Sequence, residues 1–219
     1  MLVALSLSLA FLLMAYLLGS IPTGYWAGRW LKGIDIREHG SGSTGATNVL
    51  RTLGKPAAVT VLAIDMAKGM LAVALVRAWF IWGGLDWIPL AWQPWLIVGA
   101  ATGAILGHSK SILLNFSGGK SVATSLGVLW VMNPWLALGA LGSFLGMLAL
   151  TRIVSLSSIT GAVAVNVLVL LLHQPLPYFL FSLVAGSYVI VRHHSNIQRL
   201  RQGTEPKLGQ KLPTPAESQ

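Results

Sequence analysis

The chain contains no cysteine and only six acidic residues among 219. The first absence excludes disulfides and thiolate metal sites. The second leaves nothing from which to build a divalent-cation cluster, because Asp35, Glu38, Asp65, Asp86, Glu205 and Glu217 are scattered along the sequence. Metal-dependent phosphatidyl transfer is disfavoured on that ground, and neither metal nor cofactor is expected. Other chemistries fall by motif. A Walker loop needs G-x-x-x-x-G-K-[ST]; Gly119-Lys120-Ser121 supplies its end, but the leading glycine position is Leu114. None of the five histidines is followed five residues later by aspartate, so the H-x-x-x-x-D pair of common glycerolipid acyltransferases is missing. G-x-S-x-G occurs at neither Ser41 nor Ser155, which argues against a serine hydrolase. No basic region precedes the first apolar segment and no small-x-small cleavage site follows it, so that segment is expected to be a retained span rather than a signal peptide.

What the chain has in abundance is apolar length. Hydrophobic residues make up 54% and charged residues 10%, with a mean hydropathy of +0.70, more apolar surface than a soluble core of this size buries. Candidate spans are Leu2–Leu18 extending towards Ala27, Ala57–Gly83, Trp92–Leu106, Val122–Met132, Trp135–Leu150, Ile153–Leu172 and Tyr178–Val191, the fourth being short for a membrane crossing. Of the 15 Lys and Arg residues, 13 fall in alternate connections and the tail, and the other two, Lys68 and Arg77, lie inside the second span. The intervening connections, Gly84–Ala91, Asn133–Pro134 and His173–Pro177, have none. The positive-inside rule then predicts an all-α polytopic membrane protein with about seven transmembrane helices, the amino terminus outside and the carboxyl terminus cytoplasmic. Residues 1–201 read as one domain and 202–219 as a flexible tail. The net charge of +9 fits cytoplasmic loops lying against anionic lipid, and no nucleic-acid-binding pattern accompanies it. Partners are expected to be membrane lipids and small anions, while oligomeric state is not encoded in any visible way.

Two of the basic connections are suited to phosphate. GSGSTGATNVLR (Gly40–Arg51) offers backbone amides at Gly42, hydroxyls at Ser41 and Thr47, the Asn48 carboxamide and the Arg51 guanidinium. GGKSVATS (Gly118–Ser125) adds the Gly118 and Gly119 amides and Lys120. Two such loops on one side of a membrane point to an enzyme that handles two phosphorylated molecules, or to a carrier of one. Arg51 and Lys120 are the natural charge neutralisers, with Ser41 beside them. His193 is the available alternative as a base, and Asn196 lies one helical turn on.

Six ordered segments carry a resemblance: GSIPTG (Gly19–Gly24), GSGSTGATNVLR, DMAKG (Asp65–Gly69), GHSKSILLNFSGGKSVATSLG (Gly107–Gly127), RIVSLSSI (Arg152–Ile159) and HHSNIQRLRQGTE (His193–Glu205). In these the chain resembles the acyl-phosphate:glycerol-3-phosphate acyltransferases of bacterial membranes, the PlsY type. The resemblance implies transfer of a fatty acyl group from acyl phosphate to the 1-hydroxyl of sn-glycerol 3-phosphate, giving lysophosphatidic acid and phosphate at the cytoplasmic face of the plasma membrane. That family more often has Asn at Ser43, Pro at Ser111 and Gly at Ser121. A tolerated Ser121 suggests either an ordinary backbone angle there or a slightly altered loop.

Other residues admit a structural reading beside the functional one. Asp65 and Lys68, three apart, suit a mutual buried ion pair. His108 either touches substrate or braces the second loop. Ser155 and Ser158, again three apart, can face the site or bond between helices. Glu205 suits a tie between the tail and a basic loop. Gly99, Gly103, Gly139, Gly142 and Gly146 read as helix-packing positions, and Trp79, Trp82, Trp87, Trp92 and Trp95 as an aromatic belt at the outer interface. The competing function, an organic-phosphate transporter or facilitator, would need polar residues at midplane from several spans, and beyond Asp65, Lys68 and Asn166 there are few.

Overall fold

The computed structural model describes residues 1–83 and 87–210. Part of the Gly84–Ala91 connection, with Asp86, and the tail from residue 211 lie outside the described residues. Among the described residues ten α-helices follow one another: α1 Leu2–Ser20, α2 Thr23–Lys32, α3 Ala46–Thr52, α4 Lys55–Trp82, α5 Gln93–Ser109, α6 Val122–Met132, α7 Pro134–Thr151, α8 Val154–Leu171, α9 Leu176–Arg192 and α10 His194–Arg201. Every expected span is helical. Five helical segments are long and apolar enough to cross a membrane, counting α1 with α2 as one rod from Leu2 to Lys32, and a sixth results if α9 and α10, bent by 59°, are joined. The protein is thus an all-α polytopic membrane protein. The expected count of seven rests on α6, whose 11 residues reach only about 17 Å, roughly half the hydrocarbon thickness.

Helices α1 and α5 run side by side in the same direction, as do α4 and α6. Their close approach depends on glycine: a Cβ at Gly19 would meet the Ala104 backbone, at Gly69 the Thr124 carbonyl and at Gly127 the Met66 carbonyl. Gly99, Gly103 and Gly139 are packed in the same sense, whereas Gly142 and Gly146 face open space and are not packing positions. Arg77 donates to the Val131 carbonyl near the C-terminal end of α6, where a cation complements the exposed carbonyls. One core joins α1, α4, α5, α6, α7, α8 and α9, built on residues such as Val73, Val76, Ala100, Val128, Leu136 and Phe181.

The basic connections come together at one end of the bundle. Arg37 Nη1 donates to Ser117 Oγ at 3.1 Å, Arg192 Nη2 to the Gly118 and Gly119 carbonyls at 3.2 and 3.1 Å, and Leu208 N–H to the Arg152 carbonyl at 2.7 Å. At the opposite end Asn133 Nδ2 meets Gln174 Oε1 at 3.0 Å. The charge alternation in the sequence therefore has a geometric counterpart. Residues 203–210 lie back over the basic end, where Glu205 is buried.

Candidate active site

A cavity of about 560 Å³ opens at the basic end and runs down between the helices. Its mouth is polar, with Ser41, Thr47, Arg51, Lys120, His193 and Asn196 in the wall, together with Ser155, Ser158 and Glu205. Below, the lining is mostly apolar and comes chiefly from α6, α7, α8 and α9, with Val59 and Leu62 of α4 and Ile105 of α5. Sequence reasoning could not foresee this channel, because those helices are apolar on all faces and no periodicity marks the wall.

The first loop is held by Asn48, which is 1% exposed. Its Nδ2 donates to the carbonyls of Ile36, His39 and Ser43 at 3.1, 3.0 and 2.9 Å, and its Oδ1 accepts from Ser41 N–H at 2.8 Å. The carboxamide is spent on the loop, so Asn48 is a scaffold and not the expected donor to substrate. The same loop leans on Asp35, whose carboxylate accepts from the Arg37 guanidinium at 2.7 Å. That partner holds the Asp35 carboxyl down at about 2. Thr47 and Arg51, four apart on α3, share the face turned to the cavity. Among the described residues Arg51 has no ion-pair or hydrogen-bond partner in the protein, and burial lowers its pKa.

The second loop is clamped from behind. Gly119 N–H donates to the His108 carbonyl at 3.2 Å, and the His108 ring packs where a Gly119 Cβ would stand. Gly118 and Gly119 present carbonyls to Arg192, and Gly118 lines a neighbouring cavity shared with Gly42, Arg37 and Lys110. The Gly119 amide is thus committed elsewhere, and Gly42 and Gly118 face away from the main cavity, which corrects their expected place in it. His108 itself lines the cavity, with Nδ1 3.5 Å from Asp65 Oδ1, so it braces the loop. Asp65 forms the expected pair with Lys68 at 2.7 Å and also accepts from Thr23 Oγ1 at 2.6 Å. Ser121 adopts the left-handed conformation, φ 63°. The glycine-like angle is therefore kept, and a buried hydrogen bond from Ser121 Oγ to the Ile105 carbonyl, 2.9 Å, offsets a strain of about 1–2 kcal/mol. At Ser111 the hydroxyl donates to the Ser20 carbonyl at 2.6 Å, tying the loop to α1.

Lys120, His193, Asn196, Ser155 and Glu205 meet across the mouth. Lys120 Nζ donates to Asn196 Oδ1, and Asn196 Nδ2 donates to Glu205 Oε1 at 2.6 Å. Glu205 also accepts from Ser155 Oγ and Arg199 Nε, both at 2.7 Å. Burial alone would raise the Glu205 carboxyl, but the hydrogen bonds from Asn196, Ser155 and Arg199 outweigh it and hold it below its ordinary value. Burial pushes the Lys120 ammonium down to about 8, with the Glu205 carboxylate pulling the other way. His193 occupies the break between α9 and α10, its Nδ1 2.7 Å from the Val189 carbonyl, which assigns the proton to Nδ1 and leaves Nε2 as an acceptor. Burial depresses its imidazolium to about 4. Ser158 lines the cavity, but its hydroxyl is bonded to the Val154 carbonyl at 2.8 Å. Glu205, read as a tie for the tail, is the hub of this network, and one wall residue escaped the sequence reading, Ser125, whose buried hydroxyl has no protein partner among the described residues.

Known proteins share this sequence pattern and fold. A family model described as "Glycerol-3-phosphate acyltransferase" matches residues 9–203. A glycerol-3-phosphate acyltransferase of Crocosphaera subtropica is 66% identical over 209 residues, 95% of this chain and 97% of the relative. One of a Synechocystis species is 65% identical, covering 95% and 94%. The crystal structure of PlsY, an integral membrane glycerol 3-phosphate acyltransferase in its glycerol 3-phosphate form, superposes with a TM-score of 0.83 at 35% identity, covering 92% of this chain and 96% of that one. Its lysophosphatidic acid form gives 0.80 at 34%. With a matching profile over most of its length and this degree of identity, the chain belongs to the glycerol-3-phosphate acyltransferase family and is an acyltransferase.

Proposed function

We propose that the protein transfers a fatty acyl group from acyl phosphate to the 1-hydroxyl of sn-glycerol 3-phosphate, releasing lysophosphatidic acid and phosphate at the cytoplasmic face of a bacterial plasma membrane. The observation that supports this reading best is the junction in one cavity of unpaired Arg51 and three-donor Lys120 with an apolar channel. Phosphate groups belong at the mouth and an alkyl chain below. The relatives' activity and the glycerol 3-phosphate bound to PlsY support the acceptor. The chemistry of the site supports the donor, because it offers no nucleophile–base pair and acyl phosphate needs none.

The step balances without an enzyme base. The acceptor oxygen attacks the acyl carbonyl carbon, the bond from that carbon to the phosphate oxygen breaks, and the hydroxyl proton ends on the departing phosphate. Arg51 and Lys120 offset the repulsion of two anions brought together, and Ser41 and Thr47 orient them, a positioning effect of roughly 7–11 kcal/mol. His193 Nε2 accepts a hydrogen bond from the non-reacting 2-hydroxyl of glycerol 3-phosphate and so aims the 1-hydroxyl, whose proton stays free to pass to the phosphate, while an imidazolium at about 4 is too acidic for an effective base at neutral pH. Asn196 and Glu205 set the direction of Lys120.

The test is purified protein with glycerol 3-phosphate and one of three donors: acyl phosphate, acyl-CoA or acylated carrier protein. Lysophosphatidate and phosphate are expected in equal amounts from acyl phosphate alone. Turnover with a thioester and none with acyl phosphate overturns the donor assignment. Arg51→Ala and Lys120→Ala are expected to lose at least about 100-fold in specific activity at unchanged membrane yield.

A further inference from the structure

The apolar channel has a closed end. On α8 the lining runs from Val154 to Val165, and on α9 from Val189 to Phe181. The deepest lining residue of each helix, Leu129 on α6, Ala140 on α7, Val165 on α8 and Phe181 on α9, is buried, at 7%, 8%, 7% and 6% exposure. Higher up, Val59, Leu62 and Leu145 line the same cavity at 56%, 46% and 51%. The channel is therefore open in its upper half, where α4 faces α7, and shut below. Ser182 stands just above the floor but offers no free polar group, since its hydroxyl is committed to Asn166 Oδ1 and the Phe179 carbonyl at 3.0 and 2.8 Å.

We infer that Leu129, Ala140, Val165 and Phe181 form a stop that limits the length of the acyl chain transferred. This inference rests on the acyl-transfer reading above. From Ser155 to Val165 is ten residues and from His193 to Phe181 twelve, so the polar cluster stands about 15–18 Å above the floor. An extended carbon chain of 1.52 Å bonds at about 111° advances about 1.25 Å per carbon. The channel thus takes about 12–14 carbons at full stretch. A longer chain has to bend out through the open upper side, giving up contacts that a shorter chain keeps. Ala162 lines the wall seven residues below Ser155, about 10 Å down, so a large side chain there leaves room for about eight carbons.

The experiment measures kcat/KM for acyl phosphates of 8, 12, 14, 16 and 18 carbons with the wild type, Ala162→Phe and Phe181→Ala, each checked for thermal stability in detergent. Ala162→Phe is expected to keep the 8-carbon rate within about threefold and to lose at least about tenfold at 14 carbons, since each methylene left unburied removes about fourfold. Phe181→Ala is expected to raise the ratio of 18- to 14-carbon transfer several-fold. Either variant alone suffices should the other fail to fold. A length profile superimposable on the wild type in a folded variant overturns the stop. A wild type that uses none of the acyl phosphates overturns the function instead, so the two failures are distinguishable.

Discussion

The state of Lys120 gives the sharpest test of the site, because an amine held at about 8 is a phosphate ligand only while protonated. Burial lowers the pKa and Glu205 resists it through the Asn196 amide, so the carboxylate keeps the lysine charged at neutral pH without touching it. At a separation of about 6 Å and an effective dielectric of about 20, the attraction is about 3 kcal/mol, and screening at the open mouth reduces it to about 1 kcal/mol. Removing it by Glu205→Gln lowers the Lys120 ionisation from about 8. The sign follows from charge: losing an anion disfavours the ammonium.

The assay is kcat/KM for each phosphate substrate between pH 7 and 9.5, above the second phosphate ionisation near about 6, so that the substrate charge is constant. In the wild type Lys120 is about 90% protonated at pH 7 and about 10% at pH 9, and kcat/KM for the phosphate it holds should fall about tenfold over that range. In Glu205→Gln the fall should begin at lower pH, so that a larger share of the activity is already lost at pH 8 relative to pH 7 than in the wild type. Identical midpoints in the two proteins, or a flat profile to pH 9.5, would refute the relay through Asn196.

Three further outcomes are expected. Gly69→Ala drives a Cβ onto the Thr124 carbonyl and should cost about 1–3 kcal/mol, read as a lowered melting temperature in detergent, whereas Gly142→Ala meets open space and should be neutral or stabilising. His193→Ala should raise the Michaelis constant for glycerol 3-phosphate with kcat within about tenfold; a loss of about 100-fold or more in kcat alone, rescued by imidazole, would make it a base after all. In this cysteine-free chain, Lys110→Cys should label only from the cytoplasm and His173→Cys only from outside; labelling of both from one side contradicts the assigned topology.

The bundle was legible because charge and apolar length are one-dimensional signals. All seven apolar segments became helices, and the basic segments between them gathered at one end. The polar mouth was legible in part, since loops rich in Gly, Ser and Thr beside Arg51 and Lys120 announce anion chemistry. What the sequence withheld depends on side-chain direction. Asn48 looks like a donor until its carboxamide is seen bonded to three carbonyls and an amide of its own loop. Gly118 and Gly119 look like phosphate cradles until their carbonyls are found on Arg192. Glu205 read as a tie for the tail, but nothing local tells that its partners are Ser155 and Asn196 at the cavity mouth.

The protein treats its buried charges in two opposite ways, and the difference supports the site of chemistry proposed above. Asp65 has Lys68, Thr23 and His108 around it, and Lys68 has the Ile21 carbonyl as well at 2.8 Å. A buried charge left alone is costly, so complete pairing of this kind makes a cross-brace between the α1–α2 junction, α4 and α5 tolerable within a membrane. Arg51, by contrast, stands partly buried with no partner among the described residues. Lys120 spends one of its three donors on an uncharged amide and keeps two for a ligand. Neutralising either cation with a direct carboxylate would improve the empty protein, but an anionic substrate would then have to displace that carboxylate before it could bind. Glu205 satisfies both demands by acting one residue removed: it keeps Lys120 charged, and it leaves the phosphate-facing side of the ammonium free.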